Sequence, residues 1–171
     1  MWDAVHRNLI DLEDHYSGKI IRSGFAARPV FHCKLNNQDL TINFSTARTK
    51  SGRKTYIDFS LTISSSVSIT IAEKEWLAEQ DSNNANSDSV IYINDDLHYI
   101  VLPANNRKIQ KILERPDFRK TLQKFDKMAY LFVGKSGTIC EFWTDKIDRD
   151  TEFTLMKNRI DQIQLLHSVL K

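Results

Sequence analysis

The chain of 171 residues is short of three things: cysteine, long apolar runs and net charge. Its two cysteines, Cys33 and Cys140, lie far apart, and each sits inside an alternating, strand-like pattern. One disulfide at most would be too little to argue for an oxidising compartment, so two buried, reduced thiols and a cytoplasmic setting are expected. The longest apolar runs are of the size of Tyr99-Ile100-Val101-Leu102. No segment therefore has the roughly 20 apolar residues that a membrane-spanning helix needs. Asp3, Asp11, Glu13 and Asp14 interrupt any hydrophobic stretch of signal-peptide type near the start. A flanking anchor outside these residues, tethering the module to a membrane, stays open.

The net charge of +2 is too small to imply nucleic acid by itself. The five histidines form no His-x-His or His-x-x-x-His pair, and there is no Cys-x-x-Cys, so neither a metal nor a cofactor is expected. Hydrophobic residues at 41% and charged residues at 27% exclude a wholly disordered chain. The length suits a single α+β domain over 1–171. An alternative is two subdomains, 1–79 and 90–171, joined by the flexible polar run Gln80–Ser89, whose largest apolar residue is alanine.

Within that frame the apolar pattern changes period. Trp2, Val5, Leu9, Leu12 and Tyr16 repeat at helical spacing, and Gly18 offers a left-handed stop. Period-two segments follow at 19–25, 30–35, 40–46, 54–63 and 66–71. The fourth is the clearest, with Ile57, Phe59, Leu61 and Ile63 on one side and Asp58, Ser60 and Thr62 on the other. Further strands are expected at 90–93, 97–102, 129–133 and 138–143, with turns at Asn94-Asp95-Asp96 and Gly134–Gly137. Pro116 should divide the segment from Asn105 to Lys127 into two short helices or one kinked helix. Phe153, Met156, Ile160, Ile163, Leu166 and Leu170 predict a last helix, capped near Asp150 or Thr151. The fold class is α+β: mainly antiparallel sheet, with an N-terminal helix, a kinked or paired central helix and a C-terminal helix.

Two places concentrate positive charge. Residues 105–127 hold eight Lys or Arg against three acids, +5 in a chain of +2. The turn between the third and fourth strands crowds Arg48, Lys50, Arg53 and Lys54 around Ser51-Gly52. A lone glycine with no Gly-Lys-Ser/Thr ending does not make a phosphate-binding loop of the nucleotidase kind. Solvated helix faces and charged hairpin tips account for both places; a polyanion surface is the functional alternative, built from Arg48, Lys50, Arg53, Lys54, Lys108, Lys111, Arg115 and Arg119. Phe118 and Phe125 belong to the apolar face, so no exposed aromatics alternate with the cations.

Catalytic constellations are sparse. His32 and Cys33 are adjacent in a strand and point to opposite faces, which prevents a nucleophile–base pair. His98 reads as a strand-face side chain. Asp145, Asp148, Asp150 and Glu152 lack the spacing of a calcium loop and suit the start of a helix. Glu141 beside Trp143 is the single hint of a carboxylate in an aromatic cleft.

The run Tyr99-Ile100-Val101-Leu102-Pro103-Ala104-Asn105-Asn106, followed by Ile109, Ile112 and Leu113, resembles a pattern in uncharacterised bacterial α+β domains. There a strand leads through a small residue and Asn-Asp into a helix, a hairpin, an acidic turn and a final amphipathic helix. The similarity covers about residues 96–170. It departs at Asp95-Asp96, where the pattern opens with Phe-Asp, and at Asn106, where the pattern has Asp. The resemblance implies a fold class and a bacterial setting, and it supplies no active site. The expectation is a non-catalytic binding or regulatory module that docks another protein or a flanking domain. Binding of nucleic acid or another polyanion is the alternative.

Overall fold

The computed structural model describes residues 1–80, 90–94, 97–103 and 106–170. Among the described residues nine strands form one sheet: β1 (Lys19–Ile21), β2 (Val30–Leu35), β3 (Gln38–Thr49), β4 (Gly52–Leu61), β5 (Ile69–Glu73), β6 (Val90–Asn94), β7 (Leu97–Leu102), β8 (Met128–Gly134) and β9 (Gly137–Thr144). Their order across the sheet is β1-β2-β3-β4-β9-β8-β5-β7-β6, and every pairing is antiparallel. β9 pairs with β4, and β5 lies between β8 and β7, so the first and second halves of the chain share this one sheet. The fold is α+β, with helices α1 (Trp2–Tyr16), α2 (Lys74–Gln80), α3 (Arg107–Leu113), α4 (Pro116–Leu122), α5 (Ile147–Asp150) and α6 (Phe153–Val169). Residues 81–89 of the polar run, the Asp95-Asp96 turn and Ala104-Asn105 lie outside the described residues, as does the side chain of His98.

The alternation in β4 decides which face is covered. Ile57, Phe59 and Leu61 stand opposite Phe142, Cys140 and Thr138 of β9, and all of them face the main core. Onto that face pack Val5, Leu9 and Leu12 of α1, Ile109 and Ile112 of α3, Phe118 and Leu122 of α4, and Met156, Ile160, Ile163 and Leu166 of α6. Phe142 meets Phe59 edge-on at 5.6 Å and stacks near Phe125 at 5.8 Å. Burying side chains of this size is worth about 1.5–3 kcal/mol each, which makes this face the main source of stability.

On the other face a small cluster of Ala72, Leu77 and Ile100 lies under α2. The sequence pattern did not announce α2, because a seven-residue helix offers only two turns of periodicity.

Several boundaries differ from the expected ones for identifiable reasons. The left-handed residue after α1 is Ser17, at φ 50° and ψ 43°, not Gly18. Gly18 is needed for close approach instead: a Cβ there would lie 2.6 Å from the Phe31 ring. β1 stops at Ile21, where Arg22 leaves the strand to bond the Asp3 carboxylate at 2.6 Å and the carbonyls of Ala27 and Phe25. The β3–β4 hairpin continues to Thr49 and Gly52, so Arg48, Arg53 and Lys54 are ladder residues instead of loop residues. α6 begins after Glu152, which makes no side-chain cap. Asp150 is buried and accepts the Thr144 hydroxyl at 2.6 Å instead of capping that helix. Pro116 separates α3 from α4, with Arg115 in extended geometry before it.

Candidate functional site

On the sheet face opposite the main core, α2 lies beside β9 and reaches the start of β4: Trp76 donates to Glu141, Glu75 accepts from Ser51 and Lys54, and Tyr56 is buried. Alternation places His32, Thr41, Asn43, Ser45, Asp58 and Ser60 there, and the registers align Asn43, Asp58, Glu141 and Tyr130 in a row across four strands. Asp58 and Glu141 are thus direct cross-strand neighbours. Like charges in that position repel.

Each carboxylate is perturbed accordingly. Burial pushes Glu141 up to about 7, the adjacent Asp58 adds to the rise, and the hydrogen bond from Trp76 opposes it. That bond, from the indole Nε1, measures 3.0 Å. Burial also raises Asp58, against a hydrogen bond from Ser45 and the charge of Arg28. The Oδ1 atom of Asp58 is buried without a hydrogen-bond partner.

Aromatic rings border the pair. The Trp76 ring stacks on Tyr130 at 4.2 Å, which fixes α2 against the sheet. Tyr56 stands opposite Trp143, and burial together with Glu79, Glu73, Glu141 and Glu75 pushes its hydroxyl up to about 12. The Oε1 atom of Glu79 is likewise buried and unpartnered. Lys54 supplies one cation at the margin, bonded to Glu75 at 2.7 Å and 5.8 Å from the centre of the Trp143 ring. The arrangement is acidic, edged by aromatic rings, and suited to a positively charged group. Only Glu141 and Trp143, two apart on β9, hinted at it in the sequence; Asp58 and Trp76 reach the same spot through strand register and helix docking.

The cations singled out in the sequence fall into two groups. Arg48 and Arg53 are directly opposed on β3 and β4, and Lys50 occupies the turn between them. No ion pair joins any of these three to an acid among the described residues. Lys108 and Lys111 are exposed on α3, Arg115 bonds Asp117 at 2.7 Å, and Arg119 lies in the last turn of α4. α3 starts shortly beyond Leu102, which pairs with Thr70 at the sheet end opposite the β3–β4 turn. The fold therefore separates the start of the basic helical segment from the basic hairpin tip.

The remaining candidates settle into the core. Cys33 and Cys140 are buried free thiols; burial pushes Cys33 up to about 11 and raises Cys140 as well. Neither is a ready nucleophile. His32 occupies the face opposite the main core, with Nδ1 3.0 Å from the Thr41 hydroxyl, while Cys33 faces the core. Among the described residues no group of His, Cys, Asp and Glu is arranged to hold a metal ion.

The fold and face define a class: an α+β domain with a broad antiparallel sheet, most of its described helices packed on one side and the short α2 on the other. No family model matches the chain, and no curated protein matches it in sequence. A similar solved structure is the crystal structure of the mycobacterial trehalose monomycolate transport factor A, TtfA, with a TM-score of 0.51 at 8% identity, over 95% of this chain and 96% of that one. At that identity the likeness is one of fold. No helix among the described residues is long and apolar enough to cross a membrane.

Proposed function

We propose that this chain is a non-catalytic binding module of the bacterial cytosol that docks another protein on the sheet face beside α2, taking a lysine or arginine of the partner against Asp58 and Glu141. The observation that carries the reading is this cross-strand carboxylate pair, half-buried and without an ion pair, with one Asp58 oxygen lacking any partner. An incoming cation would relieve the mutual repulsion, and Trp76 and Trp143 border the place it would occupy. Residues 81–89, which follow α2, contain two aspartates and no lysine or arginine, so that segment cannot supply the cation. The buried free thiols support a reducing compartment.

A short arginine-rich peptide, titrated against the chain with tryptophan fluorescence as readout, tests the proposal. Saturable binding that strengthens from about pH 5 to about pH 8, as Glu141 ionises, is expected. It should be lost in the Asp58→Asn/Glu141→Gln variant. Binding that is absent, or indifferent to that variant, rejects it.

A second reading is favoured by the opposed Arg48 and Arg53. Like charges at directly facing ladder positions are destabilising, and an anion bridging them would offset that cost. Binding of mixed-sequence DNA and RNA at two salt concentrations, lost in an Arg48→Glu/Lys50→Glu/Arg53→Glu variant, would support a polyanion surface. Salt-independent binding, or none, would leave the tip as a solubilising hairpin end.

A further inference from the structure

Behind the sheet end, between the turn that follows α4, the segment leading into α5 and one face of α6, lies a cleft of about 450 Å³. Five cations line it: Lys124, Lys127, Lys146, Arg149 and Arg159. Three carboxylates, Asp126, Asp145 and Asp150, leave the lining with a net +2. Its volume falls within the range of small-molecule sites, roughly 300–1,000 Å³. Its chemistry differs from the usual apolar site, since Leu155 is the one large apolar side chain in the wall.

Arg159 is the centre of the cleft. Its side chain is 8% exposed, its guanidinium lies 4.7 Å from the centre of the Phe142 ring, and Nη1 donates to the carbonyl of Asp150 at 3.0 Å. This carbonyl is its one hydrogen-bond acceptor in the described structure, and it carries no full charge. The carboxylates whose charges act on it are Asp150 and Asp126, neither hydrogen-bonded to it through a side-chain oxygen; Asp150 accepts Thr144 at 2.6 Å, and Lys127 reaches Asp145 at 2.9 Å and Asp150 at 3.5 Å. A guanidinium this deeply buried, stacked in place and without a hydrogen-bonded carboxylate, is an unusual expense for a fold unless a ligand completes it. Beside it, Asn158 and Gln162 present amides along the same α6 face, at the spacing that brings them level with Leu155 and Arg159.

From these features we infer that the cleft is a binding site for the phosphate group of a small polar molecule. Arg159 would grip two phosphate oxygens as a planar fork, with Lys146 and Arg149 closing from the exposed rim and the α6 amides meeting hydroxyl or ester oxygens. The lining charge matches a phosphate monoester, which carries about −1.5 to −2 at pH 7, better than a single carboxylate. The lysine–aspartate wall is suited to binding and not to proton transfer. Its hydrogen bond to Asp145 raises Lys127 and keeps it protonated, and the same bond lowers Asp145 and keeps it ionised.

Calorimetric titration of the whole chain with inorganic phosphate, glycerol 3-phosphate and glycerol tests the site. Two variants accompany it: Lys146→Glu/Arg149→Glu, which alters only exposed rim residues, and Arg159→Lys, which keeps the charge and loses the fork. Saturable binding of a phosphate compound, weakened about tenfold or more in both variants while their circular dichroism is unchanged, is the expected result. Tighter binding of the ester than of inorganic phosphate would assign the site to phosphorylated small molecules; equal binding would assign it to free phosphate. No saturable binding by the native chain, or binding that both variants retain, overturns the inference. If Arg159→Lys fails to fold, the rim variant alone decides.

Discussion

The two faces of the sheet use the same strands for opposite ends. On the covered face of β9, Cys140 and Phe142 are buried in the main core, and the Thr138 hydroxyl lies 2.7 Å from His167 Nε2. On the other face of the same strand, Ile139 is 38% exposed and Glu141 faces Asp58 with no cation between them. One face is closed by apolar packing. The other sets two carboxylates side by side, with no ion pair to either among the described residues.

That contrast can be broken most forcefully at Phe142. Phe142→Ala removes a ring that touches Phe59, Phe125 and Arg159, and should cost about 3–5 kcal/mol in denaturant unfolding. Ile139→Ala, three residues earlier on the open face, should cost well under about 1 kcal/mol. Comparable losses at both sites would mean that the open face is packed after all. Next in size is Thr138→Val, which takes the hydroxyl from a fully buried pair and leaves the His167 ring nitrogen without it. A loss of about 1–3 kcal/mol, read from the urea midpoint, is expected.

Glu141 sharpens the comparison through pH. Its folded carboxyl keeps its proton up to about 7, whereas the unfolded chain loses it near 4.5, the ordinary value for a glutamate. Between those values the native state binds more protons, so this group makes stability fall as pH rises through the window. Glu141→Gln, which still accepts from Trp76, should flatten that part of the pH–stability curve. An unchanged slope would assign the titration to another group. The smallest effect is expected at the exposed Lys157–Asp161 pair on α6, where Lys157→Ala should shift stability by no more than about 0.5 kcal/mol.

Much of the framework was legible because periodicity reports burial directly. The α1 stripe, the alternation of β4 and the break at Pro116 appear in the structure close to where the pattern put them. Local features were misread where two residues competed for one role. Ser17 took the left-handed conformation while Gly18 answered to the Phe31 ring. The acids before α6 looked sufficient as helix-end charges, yet Asp145 and Asp150 serve Lys127 and Thr144. The basic segment 105–127 drew attention as a unit. The fold divides it: Lys108 and Lys111 stay on the exposed side of α3, while Lys124 and Lys127 join Lys146, Arg149 and Arg159 at the cleft.

The sequence by itself determined the elements and their inner faces, since the spacing of apolar side chains dictates which side of a strand or helix must leave water. Only the tertiary structure decided which polar groups meet. Asp58 and Glu141 are neighbours because β9 pairs with β4 across a separation of some eighty residues, and Arg159 lies under Phe142 because α6 returns across that strand. Coulombic and hydrogen-bonding partners are chosen by distance in space, and a linear pattern of charges carries no record of that distance until the sheet order is closed.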